Sequence, residues 1–500
     1  MYHTFMSAKS PPSPKSPRRP QLAFYGRDDI VGALARHLDS VSADGRGRLL
    51  AVRGRRQIGK STVVDRFVRR SGTPYVYTVG TLGADARAQL DDATRAFGES
   101  ERPLPGTAVL STARLSSWRE WLSAIEQAAT DGPVIAVLDE FPWTVQSEPR
   151  VEGLLQNTWD RRLERLPVLM ILIGSDVAMM ERLNEYGRPL FGRVQPLVVD
   201  ALNPAEIAQA MPGAEAVEVF DAYLVTGGYP RLVTDLARSG RDVRGYVHDA
   251  CRDLYSPLVS TARFTLDAEF PDSPSAARVL ESIGANDVAT PRFNDLIPAG
   301  LDDTATRRIQ TATTRALHVL ADQKRLVEKE TPAWAPDNGR LRRYRVGDPY
   351  LRFWFRYLSR GVEQIARGRS DLVTARFDRD WPSWRGRAIE PVARDSLLRL
   401  APDLPGLADV ERVSAWWTRD GQTEVDVAAA SPERTVALGT IKWRPGGAVT
   451  ARELSDLARA RESVPRSRDA RLLAVSPDGR APATADLALS AQDLLRAWPV

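Results

Sequence analysis

The chain of 500 residues has a single cysteine, Cys251. That excludes an intrachain disulfide and any zinc site built from several thiolates. Histidine is also scarce: His3, His37, His248 and His318 are scattered without the spacing of a zinc or iron site. No Ser-His-Asp or Cys-His grouping is visible, which removes the common nucleophile–base arrangements. No apolar run reaches the roughly 18 residues that a transmembrane helix needs. Residues 1–22 carry Lys9, Lys15, Arg18 and Arg19 among prolines and serines, with no apolar h-region. A disordered basic tail is expected there, and a secretory leader is not. Together these absences fit a reducing, cytoplasmic setting without a membrane partner. Cys251, in a helical pattern, is expected to be a packing residue.

Charge of one sign is not in large excess. Lys plus Arg is 69 and Asp plus Glu is 64, a net charge of +5. The isoelectric point near 9.3 allows an anionic partner without requiring one. Hydrophobic residues make up 43% and charged residues 27%, and the mean hydropathy is −0.31, so the chain can bury cores. Its length suits about three domains, and no internal repeat is visible.

The pattern is α/β from Leu49 onward. LLAVRG, PYVYTV, PVIAVLDE (133–140) and PVLMILIGS (167–175) are apolar runs alternating with helical stretches such as SWREWLSAIEQAA (117–129). Continuous apolar strands between helices predict a mostly parallel sheet covered on both faces. This sheet domain is expected over 23–200. After 201 the strands stop, and short helices over 201–273 predict a helical lid, with a turn at GGYP (227–230). Over 274–346, a helix, the longer helical region TRRIQTATTRALHVLADQKRLVEKE with room for a break, the loop WAPDNG and a strand at LRRYRVG predict a winged helix-turn-helix. An aromatic helix, PYLRFWFRYLSRG, opens a helical connector over 347–384. The last domain, 385–500, reads as a helix, three strands, a helix and a strand.

GRRQIGKST, residues 54–62, follows an apolar strand and opens a helix. It matches the phosphate-binding loop pattern in the context that pattern requires. Gly54, Arg55, Arg56, Gln57, Ile58, Gly59, Lys60, Ser61 and Thr62 are therefore the expected phosphate cradle. Lys60 is expected at the β and γ phosphates of ATP, and Ser61 at Mg²⁺. Asp139 ends a buried strand where an α/β crevice opens and is the second expected Mg²⁺ holder. Glu140 is the candidate base, and Ser175, at the next strand end, the candidate γ-phosphate sensor. Arg193 in PLFGRV is expected to reach phosphate from the edge of the lid.

FYGRDDIVGAL (24–34), GRRQIGKST, VLDEFPW, ILIGSDVAMMERL, PLFGRV and GGYPRLV together resemble the archaeal-type ATPase family. These are P-loop NTPases of the signal-transducing group with numerous domains. The resemblance implies that Gly26 and Arg27 lie near the nucleotide base. It also implies an ATP-driven switch carrying DNA-associated modules. YRVGDPYLRFWFRY resembles the segment after that family's winged helix. EVDVAA and GTIKW resemble its C-terminal restriction-endonuclease-like domain of unknown function.

A nuclease of that fold needs carboxylates at neighbouring strand ends and a lysine. Asp426 and Lys442 occupy two of these positions, and Glu390 can add a carboxylate. Thr440 stands where the related pattern has glutamate. Loss of that carboxylate predicts a degenerate nuclease. The leading expectation is an ATPase switch acting on double-stranded DNA, a protein partner or a second copy. The alternatives are an ATP-regulated, Mg²⁺-dependent nuclease and an ATP-responsive scaffold without DNA activity. Arg307, Arg308 and Arg315, with Lys324, Arg325 and Lys329 further on, are the candidate DNA contacts. Trp381, Trp384, Trp416, Trp417 and Trp443 are expected to build core more than to stack on bases.

Overall fold

A computed structural model describes residues 24–499, apart from 112, 113, 271, 272, 287–289, 337, 338, 340 and 445. The tail read over 1–22 lies outside the described residues. Five strands, β1 (Arg48–Arg53), β2 (Tyr75–Val79), β3 (Val134–Asp139), β4 (Val168–Gly174) and β5 (Val194–Val198), form one sheet in the order β2-β3-β4-β1-β5. Every pairing is parallel. All residues of β3 and β4 are buried. Alternate side chains explain this. Leu50, Val52, Ile135, Val137, Leu169 and Ile171 enter one core, and Leu49, Ala51, Ala136, Leu138, Met170 and Leu172 enter the other. A sheet with helices on both faces needs apolar residues in both registers. This is a five-stranded, all-parallel sheet covered by helices on both faces.

β5 was invisible as an apolar run. It is an edge strand, exposed at Gln195, Pro196 and Val198, and Pro196 gives up a ladder donor that an edge can spare. Five helices follow: Pro204–Ala210, Ala216–Thr226, Pro230–Ser239, Val243–Ala250 and Pro257–Glu269. At the GGYP turn, Gly228 has φ 70°, and a Cβ there would lie 2.0 Å from the Leu202 carbonyl oxygen. Only glycine permits that approach. Cys251 packs in this helical core, and burial pushes its thiol up to about 12, as suits an inert packing residue.

The stretch TRRIQ…VEKE is not one helix. Helix Asp303–His318 runs into a single π turn, Val319–Gln323. Arg325 then takes φ 52°, and VEKE becomes β6 (Val327–Glu330), antiparallel to β7 (Arg343–Val346). Pairing with β7 overrides the local helical propensity of Glu and Lys. The division read between 384 and 385 falls inside helix Ser370–Ala388. That helix gives way to helix Glu390–Leu400 at Ile389, just before Pro391 in the first turn. Phe353, Tyr357, Phe377, Trp381 and Trp384 bind helix Ser370–Ala388 to the segment after residue 349 through edge-on ring contacts.

The last unit holds β8 (Arg412–Trp417), β9 (Glu424–Ala430), β10 (Thr435–Ile441), β11 (Arg471–Val475) and β12 (Leu487–Leu489), in the order β12-β11-β10-β9-β8. The first three form an antiparallel meander. β11 and β12 join in parallel after helix Ala451–Ala460. Trp381, Trp416, Trp417 and Trp443 are buried in cores, which leaves their rings no face for a base. Among the described residues, no helix is long and apolar enough to cross a membrane.

Candidate nucleotide site and C-terminal carboxylate cluster

The loop after β1 is shaped by backbone conformations that few residues adopt. Gly54 has φ 158°, and a Cβ there would meet the Val199 carbonyl oxygen at 2.1 Å. Gln57 and Gly59 follow with φ 61° and 91°. Lys60, at the head of helix Lys60–Ser71, is buried. Its Nζ donates to the carbonyls of Gly54 (2.9 Å) and Arg55 (2.8 Å). The ammonium therefore holds the loop in a closed arc around itself. Ser61 and Thr62 are exposed on the first helical turn, next to that arc.

Gly26 and Arg27 fasten this loop to the lid. The Gly26 amide donates to Gln209 Oε1 at 2.9 Å, and the Arg27 amide donates to Glu206 Oε1 at 2.6 Å. The buried Arg27 guanidinium donates to the carbonyls of Asp200 and Ile58. Burial lowers its pKa, with Glu206 opposing that effect. A cleft of about 500 Å³ opens here, lined by Arg27, Gly54, Arg55, Ile58, Asp200 and Asp348. That volume is typical of a small-molecule site.

Asp139 ends β3 and is buried. Its Oδ2 accepts from the Tyr77 hydroxyl at 2.8 Å, and its Oδ1 accepts from the Glu140 amide at 2.8 Å. The Tyr77 hydroxyl also reaches the Ser61 carbonyl at 3.5 Å, which sets Asp139 beside the first turn of the P-loop helix. Burial and then Asp139 push the Tyr77 phenol up, so it stays a donor. Glu140 has φ 49°, a left-handed conformation rare for glutamate. Its carboxylate accepts from the Ser175 hydroxyl at 2.6 Å, across the ends of β3 and β4. Asp139, Glu140 and Ser175 thus stand together at one sheet edge. Ser61 and Asp139 offer hard oxygen donors, which suit Mg²⁺ sharing its shell with phosphates and water. Among the described residues, no three His, Cys, Asp or Glu side chains could hold a metal by themselves.

Two arginines depart from their expected places. Arg193 does not come to the site. Val194 pairs with Leu49 and Val198 with Arg53. Arg193 therefore precedes β5 at the sheet edge opposite the loop, because β5 runs parallel to β1. Its guanidinium forks onto Asp160 at 2.6 and 2.8 Å. The Arg55 side chain turns to Asp348, with Nη1 2.6 Å from Oδ2, and to the Arg325 carbonyl. Asp348 is buried, caps the helix at Pro349 through the Leu351 amide (3.0 Å), and accepts from the Tyr229 hydroxyl at 2.8 Å. Burial would lower the Arg55 pKa, but Asp348 and Tyr229 outweigh it and the net shift is upward. Tyr77, Tyr229 and Asp348 were not read from the sequence as site residues. Only Asp348 carried a signal, since Asp before Pro marks a helix start.

A second cluster forms in the last unit. Asp426 on β9 accepts at one oxygen from the Thr440 hydroxyl (3.0 Å) and the Ile441 amide (2.8 Å). Lys442 Nζ lies 3.6 Å from the same oxygen. Glu390 faces them from the start of its helix. Burial and then Asp426 push its carboxyl up to about 8. The Thr440 hydroxyl donates to Asp426 where a second carboxylate would repel it. That Asp426 oxygen is thereby satisfied by protein groups alone.

The family model DUF234, described as archaeal and bacterial proteins of unknown function, matches residues 354–455. That span contains WFRYLSRG of the connector motif, together with EVDVAA and GTIKW, and lies outside the β1–β5 sheet. An uncharacterized protein of Methanocaldococcus jannaschii is 22% identical over 424 residues, covering 84% of this chain and 88% of the relative. A Walker-type ATPase of Pyrococcus abyssi is 16% identical with a TM-score of 0.47, covering 67% of this chain and 98% of that one. The ORC2 protein of Aeropyrum pernix, solved as ADPNP–ADP complexes, is 14% identical with a TM-score of 0.40, covering 70% and 95%. The chain is similar to these proteins in this measure.

Proposed function

We propose that the protein is an ATP-binding, ATP-hydrolysing switch whose nucleotide state is passed to C-terminal modules. The observation that carries this reading is the loop Gly54–Thr62 beside Asp139, Glu140 and Ser175 at the C-terminal edge of one parallel sheet. Loop amides and the helix N-terminus take the phosphates. Lys60 meets the β and γ phosphates. Ser61 and Asp139 would hold Mg²⁺, which when bound offsets phosphate charge. Glu140, oriented by Ser175, accepts the proton of the attacking water. The test is Glu140→Gln, which removes charge and keeps size. Turnover is expected to fall about a hundredfold or more, with ATP affinity changed only a few-fold. Equal turnover would remove Glu140 from this role.

The modules are read as follows. Residues 274–346 form a winged helix that meets DNA. Helix Asp303–His318 followed by the β6–β7 hairpin supports this, as do the exposed Arg307, Arg308 and Arg315. The last unit is a restriction-endonuclease-like domain whose site is degenerate. Support comes from its order of helix, meander, helix and parallel strand, and from Thr440 donating to Asp426. Wild-type protein is expected to bind duplex DNA with an affinity whose logarithm falls linearly with that of salt concentration. It is expected to leave the DNA uncut with Mg²⁺ or Mn²⁺. Thr440→Glu is expected to gain metal-dependent cleavage that Lys442→Ala removes. Robust wild-type cleavage lost in Asp426→Ala would reverse the degenerate reading. Absence of DNA binding at low salt, with and without ATP, would leave a protein partner.

A further inference from the structure

Arg352 is a buried guanidinium at the junction of lid, hairpin, connector and last unit. It is 9% exposed. Its hydrogen bonds among the described residues are long ones, 3.5 Å to the Ala388 carbonyl and 3.4 Å to the Arg387 carbonyl. It makes no ion pair with any described carboxylate. A buried charge left in that condition is costly.

The nearby acids are already matched to other arginines. Arg345 pairs with Glu328, and with Glu330 at 2.6 Å. Arg394 lies 3.2 Å from Glu330 and 3.8 Å from Glu390. Asp395 pairs with Arg399 at 3.3 Å. Glu390 and Glu330 reach Arg352 only through longer-range attraction, without an ion pair to it. Burial, then Arg345, lowers its pKa to about 10, with Glu390 and Glu330 opposing, which still leaves it charged at neutral pH.

Arg352 lines a cavity of about 240 Å³, together with Tyr223, Arg345, Trp384, Val392 and Trp498. Glu328 and Asp395 also line it, but Arg345 and Arg399 hold them, so the cavity joins a cation that lacks an ion pair to a largely aromatic and aliphatic wall. We propose that it binds a small molecule bearing an oxyanion, a carboxylate or a phosphate monoester, with the oxyanion on Arg352. The volume lies below the roughly 300 Å³ at which ordinary ligand clefts begin, which argues for a small metabolite. Enclosure by four units of the fold argues against a DNA strand. The site is one helical turn from the P-loop contact: the Arg352 amide donates to the Asp348 carbonyl at 2.9 Å.

The test uses full-length Lys60→Ala protein, which keeps P-loop phosphate binding out of the readout. Inorganic phosphate and succinate are titrated separately by calorimetry at millimolar concentration. One of them is expected to bind with a single site, and which one names the source of the oxyanion. Adding Arg352→Met is expected to weaken that binding about a hundredfold, while Arg352→Lys keeps part of it. Arg352→Met alone is expected to melt no lower than wild type, because its stem still packs and an unmatched charge is gone. Binding of neither anion overturns the proposal. So does binding that survives Arg352→Met, or a large fall in melting temperature in that variant, which would make Arg352 a structural residue. Because the P-loop is disabled throughout, failure of ATP binding in wild type would leave this result standing.

Discussion

Lys60→Ala is expected to bind ATP too weakly to detect and to lose at least about a thousandfold in turnover. Two effects combine. The ammonium that would meet the β and γ phosphates is gone. The carbonyls of Gly54 and Arg55, which accept from Nζ at 2.9 and 2.8 Å, also lose their donor. A buried acceptor without a partner costs about 1–3 kcal/mol, so the loop relaxes away from the arc that presents its amides. Labelled-nucleotide binding and phosphate release measure the loss, with circular dichroism to show that the variant is folded. ATP hydrolysis persisting in this variant would mean that the reaction occurs elsewhere.

Asp348→Ala is expected to destabilise the junction between the P-loop sheet and the C-terminal units by about 3 kcal/mol. Asp348 is 4% exposed and receives three donors: Arg55, Tyr229 and the Leu351 amide. Its removal strands a guanidinium and a phenol and uncaps a helix. The lower part of the range for a broken buried pair applies, because the Arg55 side chain is 29% exposed. Adding Arg55→Ala is expected to return about 1–2 kcal/mol, since the stranded cation is then gone. Denaturant unfolding of the two single variants and the double variant reads this coupling. Strict additivity would show that the contact transmits nothing. If the switch reading holds, Asp348→Ala also makes ATP turnover insensitive to whatever occupies the C-terminal modules.

The physical basis of legibility differs between elements. β3 and β4 were readable because both their faces are buried, so each residue in the run is apolar up to Asp139 at the end of β3. β5 was not, because an edge strand beside solvent has no such pattern. VEKE looked helical from its composition and became a strand only because β7 pairs with it. Helix Ser370–Ala388 hid the boundary, since Pro382 sits inside it and the break comes at Ile389. Among the site residues, Lys60, Asp139, Glu140 and Ser175 stood in motifs tied to strand ends. Arg193 stood in a motif too, yet strand direction carries it to the far edge.

The residues alone determined the glycine loop GRRQIGKST ahead of a helix, Asp139 at the end of β3 with Glu140 after it, and a threonine in place of a carboxylate at 440. Each follows from local chemistry, where a glycine conformation, a strand end or a side chain's charge settles the matter within a few residues. Only the tertiary structure decided that Arg55 turns to Asp348, that Tyr77 joins Asp139 to helix Lys60–Ser71, and that Arg352 stays buried with no ion pair to a carboxylate among the described residues. Those relations join residues far apart in the chain. They depend on which charges are brought close and which are left unmatched when the units pack, and no spacing along the sequence encodes that.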